Sequence, residues 1–344
     1  MQLAENQSLA PLTTFGIGGP ARWFAEARSE QEITEACDWA RERSIPLFVL
    51  GGGSNVLISD RGFPGLVLHI ALRGVEQDGD LFRVAAGEDW NNFVQRAVDG
   101  GFAGVECLAG IPGTVGGTPV QNVGAYGQEV STVIERVRAF EMDTQKFVEF
   151  SAVECGFFYR RSRFNSTDRG RFIVTHVDYR LRRGGHPNFA YADLKRHFQN
   201  CADLPSLNEV AATVRAIRQS KGMLLVDGDS DCRSAGSFFK NPVVSQHVAD
   251  KISQYAANAN APFRVYPADA GLVKIPAAWL IEQAGFPKGY SLGAAGISSR
   301  HTLALINRGG ATADEILALA QKIADAVEAR FGVRLEMEPE KIGF

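Results

Sequence analysis

Apolar residues recur at three-to-four spacing through Ile316, Leu319, Ile323, Val327 and Phe331, which predicts a helix with one face on a core. Thr312 and Glu315 precede this run as a capping box, and Gly332 follows it. The same start at Ser29 and Glu32 predicts a helix to about residue 43, and Ser206 with Glu209 predicts one to about residue 221. A shorter helix is expected over 276–284, between Pro276 and Gly285. Strand-like runs lie at 46–50, 65–70, 81–87, 133–140, 172–181, 302–307 and 333–338. Strands and helices alternate early and strands dominate the middle, so the pattern predicts an α+β protein of several packed units. The acidic, turn-rich stretch LLVDGDSDCRS, 224–234, reads as a surface loop or linker.

Composition narrows the picture. A chain of 344 residues suggests two or three domains, and 45% hydrophobic against 22% charged residues is ordinary for a globular core. The net charge of −3 carries no basic stripe, which argues against nucleic acid and anionic membranes as partners. The first residues lack a basic start followed by an apolar run, and no stretch of about 18 apolar residues occurs, so neither a signal peptide nor a membrane span is expected. Cys37, Cys107, Cys155, Cys201 and Cys232 are scattered and read as reduced thiols in a cytoplasmic protein. Neither they nor the six histidines have metal-ligand spacing, so no metal is expected.

Two glycine clusters stand out. Residues 108–130 read LAGIPGTVGGTPVQNVGAYGQEV, a long, apolar, glycine-dense loop too uncharged for a disordered tract. Glycine at this density implies that something approaches the backbone closely. The second cluster, LGGGSNVLISD at 50–60, follows the predicted strand 46–50. Its backbone N–H groups could form an anion nest, although a plain tight turn reads the same way. Gly16-Ile-Gly18-Gly19-Pro20-Ala21 fits the dinucleotide fingerprint by letter only, because no strand leads into it and Pro20 interrupts it. A phosphate loop with Lys-Ser or Lys-Thr is absent.

The ordered series TTFGIGGPARWF, LGGGSNVLISD, the 108–130 loop, FFYRRSRF (157–164), SAGSFFKNPVV (234–244) and LEME (335–338) resembles the UDP-N-acetylenolpyruvoylglucosamine reductase family over nearly the whole chain. The resemblance implies a two-subdomain FAD-binding module of the vanillyl-alcohol-oxidase type, at 1–70 and 71–222, and a C-terminal α+β substrate-binding domain at 223–332. The last strand, within 333–344, would rejoin the flavin module. FAD would lie against Gly51, Gly52, Gly53, Ser54, Asn55, Gly110, Ile111, Pro112, Gly113, Gly116, Gly117, Gln121, Asn122, Gly124, Ala125 and Tyr126. Neither cluster holds a histidine to tether a flavin, so FAD is expected noncovalently, with NADPH as co-substrate.

The implied reaction delivers a hydride and a proton to an enolpyruvyl group of a UDP-sugar. Negative charge develops beside the carboxylate, so it needs a fixed cation or donors, and a proton donor must reach the accepting carbon. By resemblance, Arg160 would grip the carboxylate, Ser237 would donate the proton, and Glu338 would stabilise the enolate with Arg160. Spacing alone favours reading the first two as a surface arginine and a turn or capping serine, and leaves Glu338 open to an ordinary exposed strand glutamate. Glu336, Glu338 and Glu340 would share one strand face, so alternation does not choose among them. Tyr159, Tyr191, Lys221, Lys240 and Asn241 would contact the substrate, and the role of His301 stays open. The chain is expected to be a monomer. The other readings are a flavin oxidase or dehydrogenase for another small substrate, and a UDP-sugar-binding protein without turnover.

Overall fold

A computed structural model describes residues 1–201, 203–261, 263–268 and 271–344. The chain divides into two compact units. The first comprises 1–7, 20–53 and 63–220, and the second 8–19, 54–62 and 221–344.

The first unit holds two large sheets and two two-stranded ones. One large sheet has the strand order Leu3–Ser8, Pro20–Ala27, Phe63–Ile70, Leu47–Leu50, the last three running parallel. The other is antiparallel, in the order Lys146–Ser151, Ile134–Glu141, Phe172–Arg180, Leu81–Ala85, Val75–Asp78. Phe172–Arg180 lies in the middle of the second sheet, and Ile173, Val174, Val177 and Tyr179 are all buried. The helices Glu30–Glu42, Trp90–Asp99 and Leu207–Ser220 contribute Ile33, Phe93, Val94 and Val210 to the same apolar cluster.

The second unit is built round the helix Ala313–Phe331, whose predicted stripe is buried except at half-buried Phe331. Thr312 and Glu315 form the reciprocal capping box, and Gly332 closes the helix with φ +66°. Ser206 and Glu209 also cap reciprocally, whereas Glu32 turns back to the N–H of Arg28 while Ser29 alone caps. Two short antiparallel sheets of three strands complete this unit. The strand Glu340–Ile342 pairs in parallel with Val56–Ile58.

Two expectations need correction. The strand expected at 333–338 does not form; Met337 alone makes a β-bridge, to Phe239, flanked by bonds from the Lys240 N–H to the Glu336 carbonyl and from the Glu338 N–H to the Phe238 carbonyl. The stretch 224–234 is not a surface loop throughout. Leu225 and Val226 are exposed, but Asp231, Cys232 and Ser234 are buried, and 230–232 form a 3-10 turn. Among the described residues, no helix is long and apolar enough to cross a membrane, and no cluster of ligating side chains could hold a metal.

Candidate functional site

In the first unit the two glycine clusters meet backbone on backbone. The turn 51–53 follows the strand Leu47–Leu50, and a methyl group placed on Gly52 would lie 2.6 Å from Gly113 Cα and 3.0 Å from the Thr114 nitrogen. No Cβ fits there, which is the physical reason for glycine. Gly116 is pressed against Ala86 in the same way, at 2.6 Å from its Cβ, and its N–H bonds to the Ala86 carbonyl at 2.8 Å. Gly117 differs: a Cβ there would meet nothing within 4 Å. The expectation that these glycines are all bare because a cofactor lies on them is therefore too broad. Gly52 and Gly116 are bare because the protein itself comes close, and Gly117 leaves an open wall. Two loops locked together with one side-chain-free face are a cradle that fits a flavin.

The cradle is braced from behind. Gly110 donates its N–H to Asn91 Oδ1 at 2.7 Å, and Arg215 Nη1 donates to the same oxygen at 2.7 Å. Arg218, one turn further along the helix and buried, donates its Nε to the Gly110 carbonyl at 3.0 Å. Burial pushes the Arg218 guanidinium below its ordinary range. Sequence reading missed both arginines; their signal was two arginines three apart on a helix face that is otherwise apolar. Ile111 and Pro112 are half-buried beside this brace.

The end of the loop forms a hairpin, Gly124–Ala125 paired with Gln128–Glu129. Its two turn residues, Tyr126 and Gly127, have φ +48° and +82°, the left-handed pair that two-residue hairpins require. Gln121 is half-buried. Asn122, expected against FAD, is buried and engaged by the protein: its amide donates to Glu129 and to the Phe158 carbonyl, and its Oδ1 accepts from Ser131. The hairpin stands on a buried carboxylate. Glu106 accepts from the Gln128 amide at 2.7 Å, the Asn188 N–H at 2.8 Å and the Gly104 N–H at 2.7 Å.

Arg160 sits in the turn between Phe158 and Arg161 with φ +54°, an uncommon conformation for a side chain of its size. Its Nη2 donates to the Gly124 carbonyl at 2.7 Å, and the guanidinium lies 5.4 Å from the Tyr159 ring centre. Asn165 holds the Arg160 carbonyl at 3.2 Å. Tyr191 meets Tyr126 edge-on at 5.5 Å between ring centres. The structure thus gathers Gly124, Tyr126, Tyr159, Arg160 and Tyr191 round one hairpin.

In the second unit Gly236, with φ +72°, leads into Ser237. The Phe238 N–H bonds to the Leu303 carbonyl at 2.7 Å, and the Phe238 carbonyl accepts the Glu338 N–H at 2.9 Å. Glu336 is on a different footing: its carboxylate pairs with Lys240 and its side chain is 73% exposed. Glu340 lies in the strand paired with Val56. Asn55 tethers the Glu338 carbonyl through its amide at 3.3 Å, and its own carbonyl accepts the Glu340 N–H. Ser54 is half-buried. Asn241 caps the helix Ala277–Gln283 by accepting the Ala277 N–H at 2.9 Å. Lys221 is half-buried beside Gly222, and His301 donates its N–H to Ser298. Cys37 and Cys155 are buried and their thiols pushed up to about 12, so neither serves as a thiolate near neutral pH.

The comparisons agree with this layout. Residues 21–146 match the model of an FAD binding domain, and 228–342 match the UDP-N-acetylenolpyruvoylglucosamine reductase C-terminal domain. The chain is 44% identical to UDP-N-acetylenolpyruvoylglucosamine reductase of Streptomyces coelicolor, over 100% of its own length and 91% of that protein. It is 38% identical to the reductase of Pseudomonas putida, over 98% of each chain. The crystal structure of UDP-N-acetylenolpyruvylglucosamine reductase from Thermus caldophilus superposes with a TM-score of 0.68 at 26% identity, covering 99% of this chain and 98% of that one.

Proposed function

The chain belongs to the UDP-N-acetylenolpyruvoylglucosamine reductase family, and from that premise we infer that it reduces UDP-N-acetylglucosamine enolpyruvate to UDP-N-acetylmuramate, with NADPH as reductant and FAD as carrier. The observation that carries this reading is 44% identity over the full chain to a protein of that name. The reaction belongs to peptidoglycan precursor synthesis, and the enzyme works in the cytoplasm as a monomer. Flavin binding is assigned to residues 1–70 and 71–222, joined by the strand within 333–344, and 223–332 is read as the substrate-binding domain.

Bound FAD would supply the hydride chemistry that links NADPH to the enolpyruvyl group. The chain's part is to hold, orient and protonate. Gly51, Gly52, Gly53, Ser54 and Asn55 carry the diphosphate turn. Gly117 offers the open, side-chain-free wall; Gly110, Ile111, Pro112, Gly113, Gly116, Gln121, Gly124, Ala125 and Tyr126 belong to the same flavin-binding loop, and Asn122 holds that loop's hairpin in place. Arg160 holds the substrate carboxylate; its planar fork suits a carboxylate, and its strained turn fixes the direction of approach. Ser237 gives the proton to the carbon bearing that carboxylate. Glu338 stabilises the charge that develops there; the Glu336 carboxylate is turned to Lys240 at the surface, which supports choosing Glu338 over it. Tyr159, Tyr191, Lys221, Lys240 and Asn241 contact the UDP-sugar.

The test is NADPH oxidation without oxygen, with and without UDP-N-acetylglucosamine enolpyruvate. Substrate-dependent oxidation is expected. Oxidation that needs oxygen instead, or none with substrate present, overturns the reading.

A further inference from the structure

The acidic stretch misread from sequence holds a buried carboxylate that accepts four hydrogen bonds. Asp231 accepts from Ser298 Oγ at 3.1 Å, Ser299 Oγ at 2.6 Å, the Ser299 N–H at 3.4 Å and Arg300 Nε at 3.0 Å. Three consecutive residues from nearly 70 positions away thus converge on one buried group. Asp229 binds the other end of the Arg300 guanidinium.

The turn so gathered is closed internally. Ser298 Oγ accepts the N–H groups of Arg300 and His301, and Ser298 and Ala304 bond through their backbones at 2.9 Å. Leu303, inside this turn, offers its carbonyl to the N–H of the peptide joining Ser237 to Phe238, at 2.7 Å. The carbonyl of Phe238 then fixes Glu338. A path of hydrogen bonds and intervening backbone runs from the Asp231 carboxylate to the peptide on the C-terminal side of the reaction's acid.

We propose that Asp231 is a positioning residue that fixes the turn 298–304 and, through the Leu303 carbonyl, sets where Ser237 stands. The inference rests on the assignment of Ser237 as proton donor. Enclosed charge networks add little net stability for their desolvation cost, but they specify one arrangement of the groups they join. A displaced donor slows only the step in which it transfers its proton, since small displacements of a reacting group cost large factors in rate.

The test compares Asp231→Asn with Ser237→Ala and the wild type in two measurements. In anaerobic stopped flow, Asp231→Asn is expected to keep flavin reduction by NADPH within about twofold and to slow reoxidation by UDP-N-acetylglucosamine enolpyruvate by roughly tenfold or more. In amide hydrogen exchange of the protein without substrate, residues 234–241 are expected to exchange faster while the helix Ala313–Phe331 keeps its protection. Reoxidation at the wild-type rate, or equal losses in both half-reactions, overturns the proposal. If Asp231→Asn fails to fold, Ser299→Ala removes a single bond to the carboxylate and is expected to slow reoxidation selectively but less; an unaltered rate there also overturns it. If Ser237→Ala reoxidises normally, the assignment of the acid fails, and the proposal with it. Normal Asp231→Asn kinetics beside a slow Ser237→Ala defeat the proposal alone.

Discussion

In the first unit the loops 51–53 and 113–114 meet through bare backbone at Gly52, whereas in the second the turns 229–234 and 298–304 meet through bonds to two carboxylates, chiefly Asp231. At Gly52 the first kind of joint offers no flexible atom: the three nearest heavy atoms all belong to the backbone of Gly113 or Thr114, so an added methyl must move a chain. The second kind has four donors on one acceptor, so losing any one leaves the others in place. Backbone joints should therefore fail abruptly, and carboxylate joints should lose function by degrees.

Gly52→Ala is the severest test of that contrast. Overpacking a closed contact costs about 1–3 kcal/mol, and at a backbone-to-backbone contact the upper end is expected. Melting temperature and flavin content should fall together; a stable, fully yellow variant would show that the two loops separate freely. The neighbouring pair Gly116 and Gly117 sharpens the reading. Gly116→Ala presses on Ala86 and should destabilise the protein even without FAD. Gly117→Val has open space before it, so melting of the flavin-free protein should be unchanged while flavin content drops. Full flavin occupancy in Gly117→Val would remove that wall from the cofactor site.

Asp231→Ala comes next. It strips a buried acceptor from two hydroxyls and a guanidinium, a loss of about 1–3 kcal/mol. Burial pushes the Asp231 carboxyl up, but bonds from Ser299, Arg300 and Ser298 outweigh it and hold it below the ordinary aspartate range. The Arg300 guanidinium does the same for Asp229. Groups with depressed pKa values stabilise the fold above their unfolded pKa, near 3.8, and lose that contribution as pH falls through the folded value. The wild type should then lose stability below about pH 4 more steeply than Asp231→Ala, a difference that acid titration of the melting temperature reads directly. Parallel acid limbs would mean that the carboxylate adds nothing to the fold.

How much of this was legible follows from what each residue touches. The helix Ala313–Phe331 announced itself because its stripe, its capping box and Gly332 all point the same way. The helices Trp90–Asp99 and Gln246–Asn258 were missed because Asp89 and Ser245 cap them without a Glu or Gln three residues on. Glycine density marked close approach, which the structure shows at Gly51, Gly52 and Gly116. It could not say that the approaching group is protein at Gly52 and open space at Gly117, since that depends on a loop some 60 residues away. Asp229 and Asp231 looked solvated because the arginine that answers them lies near residue 300, and no local pattern links the two.

The smallest expected effect isolates burial as the variable. Lys240 and Glu336 form an ion pair like Arg300 and Asp231, but the Glu336 side chain is 73% exposed, against 12% for Asp231. Water already solvates the Lys240–Glu336 pair, so Glu336→Gln should cost about 0–1 kcal/mol and leave turnover unchanged. Lys240→Ala should be equally mild toward melting, yet its proposed contact with the UDP-sugar predicts a raised KM with kcat kept. The double variant separates the two roles, because the KM increase should persist when Glu336 is already neutral. If KM instead stays at the wild-type value in Lys240→Ala, the lysine does no more than pair with Glu336 at the surface, and exposed charge in this unit contributes to neither fold nor substrate.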